Sequence, residues 1–134
     1  MKNSKFKKAG DDDARHKPPD IVDRTFEFAV RIVNLAGKLD ERPGVGRIMM
    51  SQILRAGTSI PANIEEAQAA QSKADFVSKM SISLREARES HVRLRLLATA
   101  NIIEDDQLQR LIDEADQIKR IIGAIIVSAK RDIG

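Results

Sequence analysis

The chain has 134 residues, 42% of them hydrophobic and 32% charged, enough for one domain with a real core and too few for two comfortable ones. The absence of cysteine excludes disulfide staples, thiolate nucleophiles and cysteine-bound zinc, and the absence of Trp and Tyr argues against capture of bases by aromatic stacking. The longest apolar stretch, Ile121 to Val127, falls far below the roughly 20 residues that span a bilayer, and the opening MKNSKFKKAG lacks the apolar segment of a secretion signal. These features lead to the expectation of a soluble, cytoplasmic protein without membrane contact.

The formal charge is +3, unevenly placed: residues 1–20 hold six Lys/Arg and four Asp, and the remainder holds 17 basic against 16 acidic residues. Residues 1–19 combine basic residues with Gly10, the run Asp11-Asp12-Asp13 and Pro18-Pro19, a composition that cannot offset chain entropy by burial. A flexible basic/acidic arm is expected over 1–19 and one bundle domain over 20–134.

From Asp20 onward the hydrophobic period is helical. Asp20 offers an N-cap carboxylate to a helix running to about Leu39, with Asp23 in the favourable first turn. Its core row is Ile21, Thr25, Phe28, Ile32, Leu35 and Leu39, and a second apolar row, Val22, Phe26, Ala29, Val33 and Ala36, lies beside it. Together the rows cover about half the circumference, wider than the ~100° of an ordinary surface helix, so the helix needs cover on two sides. The segment Asp40-Glu41-Arg42-Pro43-Gly44 ends it. A second helix starts near Val45 with the stripe Met49, Ile53, Ala56, Ile60, Ile64 and Ala67; Pro61 inside it predicts a kink that Gly57 would absorb.

Ser72-Lys73-Ala74-Asp75 has the pattern of a capping box and opens a third helix to about Ala100, with Phe76, Met80, Leu84, Ala87, His91, Leu94 and Ala98 as its expected core row. The acidic cluster Glu104-Asp105-Asp106 opens a fourth. Its row is Leu108, Ile112, Ala115, Ile118, Ile122, Ile125 and Ala129, widened by Leu111, Ile121 and Ile126. Four long helices with short connections and no strand-like alternation predict an all-α, antiparallel up-and-down four-helix bundle. The over-wide faces of the first and fourth helices, with Ile82 and Leu96 opposite the seam of the third, imply a homo-oligomer whose interface includes Ile82, Leu96, Ile118 and Ile121.

The residues do not compose a reaction centre. A di-iron bundle needs two Glu-x-x-His motifs, whereas His91 is the one histidine of the bundle and Arg88 stands three residues before it. Glu65 and Glu66 are adjacent and diverge by about 100° on a helix, so they do not converge on one substrate atom. No catalytic residue, metal site or cofactor is expected. Gln52, Arg55, Ser59, Asn63 and Glu66 form a polar stripe beside the core row, read as a hydrogen-bonded seam or an oligomer interface.

Two basic rows are candidates for phosphate contact: Arg24, Arg31 and Lys38 on the first helix, and Arg85, Arg88, Arg93 and Arg95 on the third. Helical spacing also allows Glu27–Arg31, Arg85–Glu89 and Glu89–Arg93 pairs to absorb much of this charge. Repetition of a modest patch around an assembly would yield a multivalent basic surface.

Several long ordered stretches carry a family resemblance: Phe26-Glu-Phe-Ala-Val-Arg-Ile-Val33, Leu54-Arg-Ala-Gly-Thr-Ser-Ile60, Ala62-Asn-Ile-Glu-Glu-Ala67, Ala70-Gln-Ser-Lys73 with Asp75-Phe76, and Lys79-Met-Ser-Ile-Ser-Leu-Arg-Glu-Ala-Arg-Glu89. The chain resembles the 23S rRNA intervening-sequence proteins. That resemblance implies a four-helix bundle that assembles as a homo-oligomer, characteristically a pentameric ring, with no catalytic residues. It also brings the family's usual proposal of sequence-nonspecific RNA or DNA binding. The alternative is a protein–protein interaction scaffold that never meets nucleic acid. Ser59, Asn63, Glu66, Glu86 and Glu89 are the matched positions of diagnostic character. The chain departs at Val92-Arg93, where similar proteins carry a Tyr-Trp pair, making that surface less aromatic and more basic.

Overall fold

The computed structural model of the protein describes residues 20–39 and 44–133. The arm of residues 1–19 and the turn residues 40–43 lie outside the described residues. Four helices follow one another: α1 (Ile21–Leu39), α2 (Val45–Gln68), α3 (Lys73–Thr99) and α4 (Asp106–Ile133). Each packs on its neighbour in sequence, and α1 closes the bundle against α4, giving the expected all-α four-helix architecture.

The helix ends follow local chemistry. The Asp20 carboxylate accepts from the Val22 amide at 3.1 Å, and the Ser72 hydroxyl accepts from the Asp75 amide at 3.0 Å. Asp75 returns a bond to the amide of Gln71, one residue further back than the usual capping box reaches. Asp105 is the member of the acidic cluster that caps α4, accepting from the Gln107 amide at 2.8 Å. Beyond α3, Asn101 takes the left-handed conformation at φ 55°. The Asn101 amide donates to the Ala98 carbonyl and the Ile102 amide to that of Leu97, a Schellman-type stop that occupies carbonyls the helix end leaves free.

The core rows of α1, α2 and α4 are buried largely as their periodicity requires, with Met50 rather than Met49 turned inward on α2. On α3 the buried face is rotated from the expected row. Its centre is Met80, Ser83, Ala87, Ser90, Leu94 and Leu97, and Leu84, His91 and Ala98 stand at its edge. Two serines hide this face from a hydropathy count. The Ser83 hydroxyl donates to the Ile60 carbonyl at 3.0 Å within the core, while the Ser90 hydroxyl is buried without a hydrogen-bond partner among the described residues.

Helix α2 continues through the buried Pro61. The role of Gly57 is contact with α1: a Cβ at this position would stand 3.2 Å from Cγ1 and 3.3 Å from Cγ2 of the fully buried Ile32. Glycine therefore sets how closely α1 and α2 approach.

The two over-wide faces meet different fates. On α4, Leu111 and Ile126 are buried inside the protomer because the helix is covered by α3 on one side and α1 on the other. Ile118, expected at an oligomer interface, is 0% exposed in this core and cannot meet a partner. On α1 the second row divides: Ala29 is buried and Val22 and Ala36 pack at the core's edge, while Phe26 at 56% and Val33 at 48% exposure remain outside.

Candidate interaction surfaces

The polar stripe of α2 divides in two. Its N-terminal half crosses to α3: Arg55 donates to Glu89 at 2.6 Å and to Glu86 at 3.3 Å. Arg93 donates to Glu89 at 2.9 Å and to Gln52 at 2.6 Å. Gln52, Arg93, Glu89, Arg55 and Glu86 thus form one continuous clamp that fixes the register of α2 against α3. Burial opposes ionisation of Glu89, but the hydrogen bonds from Arg55 and Arg93 outweigh it and hold the carboxyl below its ordinary range. The same contacts, led by the hydrogen bond to Glu89, raise the Arg55 guanidinium further above its usual value. In the other half, Ser59 and Asn63 donate to carbonyls of their own helix, those of Arg55 and Ser59. Glu66 is exposed with no ion pair among the described residues.

The basic row of α1 faces α4. Arg24 forks onto Glu114 with bonds of 2.6 and 2.9 Å and reaches Gln117 at 2.6 Å. The hydrogen bond to Glu114 outweighs burial and raises the Arg24 guanidinium above its usual value. Lys38 meets Asp105 at 3.4 Å. Arg31, between them, is partly exposed and has no ion pair among the described residues, so the expected Glu27–Arg31 pair is not formed. On α3 the Glu89–Arg93 pair forms as spaced. The Arg85–Glu89 pair does not, because Glu89 turns toward Arg55. Arg85, Arg88 and Arg95 are exposed, without an ion pair among the described residues.

His91 packs against α4. The Lys119 ammonium donates to its Nδ1 at 3.2 Å, which places the ring proton on Nε2, 4.0 Å from the Asp116 carboxylate. Burial and the Lys119 charge lower its pKa, so the ring is neutral at pH 7. It serves as a packing residue in the α3–α4 seam. Among the described residues no group of three or more His, Cys, Asp or Glu could hold a metal ion, and no helix is long and apolar enough to cross a membrane.

Among the described residues apolar side chains remain outside in several places, Val45 and Ile48 at the start of α2 and Val127 on α4 included, and two of these surfaces combine several such side chains with unpaired charge. The first is a groove of about 430 Å³ between α1 and α2, lined by Phe26, Val30, Val33, Pro61, Ala62 and Glu65. The second is a ridge on α3, where Val92 and Leu96, each about half exposed, run between Arg85, Arg88 and Arg95. The partly buried Ile82 and Ile121 belong to neither. Sequence reasoning found Phe26, Val33 and Leu96, reached Val92 only through the family departure at Val92-Arg93, and missed Val30. The available signal was helical spacing, since Val30 follows Phe26 by four and Val92 precedes Leu96 by four.

Four helices packed in sequence, with a charge clamp between α2 and α3 and apolar side chains left outside, define an all-α four-helix bundle protein. The chain belongs to the 23S rRNA-intervening sequence protein family, whose model matches residues 18–124. A solved structure from Bacteroides thetaiotaomicron VPI-5482, described as a protein of unknown function from the S23 ribosomal protein family, is 42% identical to this chain. It covers 80% of this chain and 98% of that one, with a TM-score of 0.73. No curated protein matches.

Proposed function

We propose that this protein is a non-enzymatic, cytoplasmic homo-oligomer, pentameric on the pattern its family resemblance implies, whose function is to present protein surfaces created by assembly. The observation that carries this reading is the unpartnered Phe26–Val30–Val33 face above the α1–α2 groove. Burial of such side chains yields about 25 cal/mol per Å² of apolar surface, and a second macromolecular surface supplies it. Sedimentation velocity at micromolar concentration tests the reading: a species several times the monomer mass is expected, and a stable monomer would overturn it.

The outward Arg85, Arg88 and Arg95 favour a second reading, sequence-nonspecific RNA or DNA binding. Arg24, Lys38 and Arg93 contribute less to it, being held by carboxylates in the protomer. Binding of duplex DNA and of structured RNA measured between 50 and 200 mM salt decides it, because phosphate contacts weaken steeply as salt rises. Affinity no better than millimolar, or indifferent to salt, would leave the protein-interaction reading alone.

A further inference from the structure

We propose that the α3 ridge of one copy seats in the α1–α2 groove of the next, a head-to-tail interface between two different faces of the same chain. The proposal deepens the self-association reading and rests on it. The first observation is charge complementarity. The groove is lined by Glu65 and bordered along α1 by the exposed Asp23 and Glu27, while the ridge carries the exposed Arg85, Arg88 and Arg95. None of these six residues makes an ion pair inside the protomer among the described residues, so each is available to an outside partner. The second observation is shape. Val92 and Leu96 flank a shallow hollow with Arg88 and Arg93 on the outward face of α3, and the cleft between α1 and α2 is open to such a helix face, as in helix-in-groove recognition.

The third observation is order along the axis. On α1 the acidic residues Asp23 and Glu27 precede the apolar Val30 and Val33; on α3 the basic Arg85 and Arg88 precede the apolar Val92 and Leu96. Each series covers a similar length, about 15 to 17 Å at 1.5 Å per residue. In an up-and-down bundle α1 and α3 run in the same direction. A second copy that keeps the first one's polarity and slides along it therefore brings Arg85 and Arg88 to Asp23 and Glu27 and sets Val92 and Leu96 against the valines of α1, with Arg95 at the edge of that aliphatic half. An inverted copy would set Arg85 and Arg88 against Val30 and Val33, leaving their charges desolvated without partners.

A contact between unlike faces differs testably from a twofold contact of like faces. The ridge variant Arg85→Glu/Arg88→Glu/Arg95→Glu and the groove variant Asp23→Lys/Glu27→Lys/Glu65→Lys should each sediment as monomers at concentrations where the natural chain is assembled. Mixed together, they should co-assemble in alternation beyond the pair, because the natural ridge of one meets the natural groove of the other and the exchanged ridge meets the exchanged groove. All six changes in one chain should restore the full assembly by exchanging the signs. Circular dichroism checks that each variant remains helical, and all the substituted positions are exposed or partly exposed in the protomer.

A natural chain that is itself monomeric refutes the self-association reading beneath the proposal. An assembled natural chain whose ridge variant stays assembled refutes the ridge–groove pairing alone. So does a ridge variant that keeps its assembly while losing at least tenfold in affinity for a 30-base-pair RNA duplex, an outcome that assigns those arginines to phosphate. Failure of the two broken variants to pair with each other also overturns the unlike-face contact.

Discussion

Gly57→Ala tests how the fold sets the distance between α1 and α2. On an isolated helix the change stabilises by about 1 kcal/mol, because alanine restricts the unfolded backbone more than glycine does. In this protein the added Cβ would lie 3.2 and 3.3 Å from two γ-carbons of Ile32, a side chain that is fully buried and has little room to yield. Overpacking of that kind costs about 1–3 kcal/mol. The net effect should be destabilisation of about 1 kcal/mol. Removing the obstacle should reverse the sign: in an Ile32→Ala background both γ-carbons are gone, and the nearest remaining atom, Cβ, lies at an ordinary 3.6 Å. There Gly57→Ala should stabilise by about 1 kcal/mol, although Ile32→Ala itself costs about 2–5 kcal/mol. The coupling across the cycle is then about 2 kcal/mol. Urea unfolding followed by far-ultraviolet circular dichroism measures all four proteins, at one protein concentration because assembly adds stability by mass action. A Gly57→Ala change that stabilises equally in both backgrounds would refute the idea that glycine is required by close helix approach.

Three further outcomes follow from the same geometry. Ile118→Asp should abolish the cooperative thermal transition by burying an unpaired charge, whereas Phe26→Asp should leave a folded protomer and weaken assembly; melting curves and sedimentation of both variants separate the two effects. Ser83→Ala should cost about 1 kcal/mol through loss of the bond to the Ile60 carbonyl, and Ser90→Ala should stabilise by a similar amount because its hydroxyl is buried without a partner; denaturant midpoints show the opposite signs. The depressed pKa of Glu89 means that its ionised form stabilises the fold at neutral pH. That contribution is complete above the ordinary value of 4.5 and is lost as pH falls from there through the lower folded value. The stability gap between the natural chain and Glu89→Gln should therefore be widest near pH 7 and close in acid.

Helix number, order and most of the core could be read from periodicity because α1, α2 and α4 bury aliphatic residues at helical spacing. The α3 face was misplaced for a physical reason: Ser83 and Ser90 are small enough to sit where helices approach closely, and a hydropathy pattern counts them as polar. The same pattern revealed that α1 and α4 were too apolar for one solvent-facing side each, but not that α4 is enclosed by its own bundle while α1 is not. Leu111 and Phe26 look alike in one dimension, each on the widened flank of its helix, and differ in how many neighbouring helices cover them. The candidate surfaces were legible only in fragments. Charge spacing suggested that Glu89 serves Arg85 as well as Arg93, yet it reaches across to Arg55 instead, a choice made by the packing of α2 on α3.

The fork from Arg24 to Glu114 joins residues 90 positions apart. During synthesis a chain leaves the ribosome from its N-terminus, so α1 emerges before α4 and must wait for α2 and α3 to follow before its α4 partner appears. Throughout that interval the flank of α1 destined for α4 lacks its cover, and only completion of the fourth helix closes the barrel of side chains. Nascent chains stopped before α4 should therefore be the forms most readily captured by chaperones.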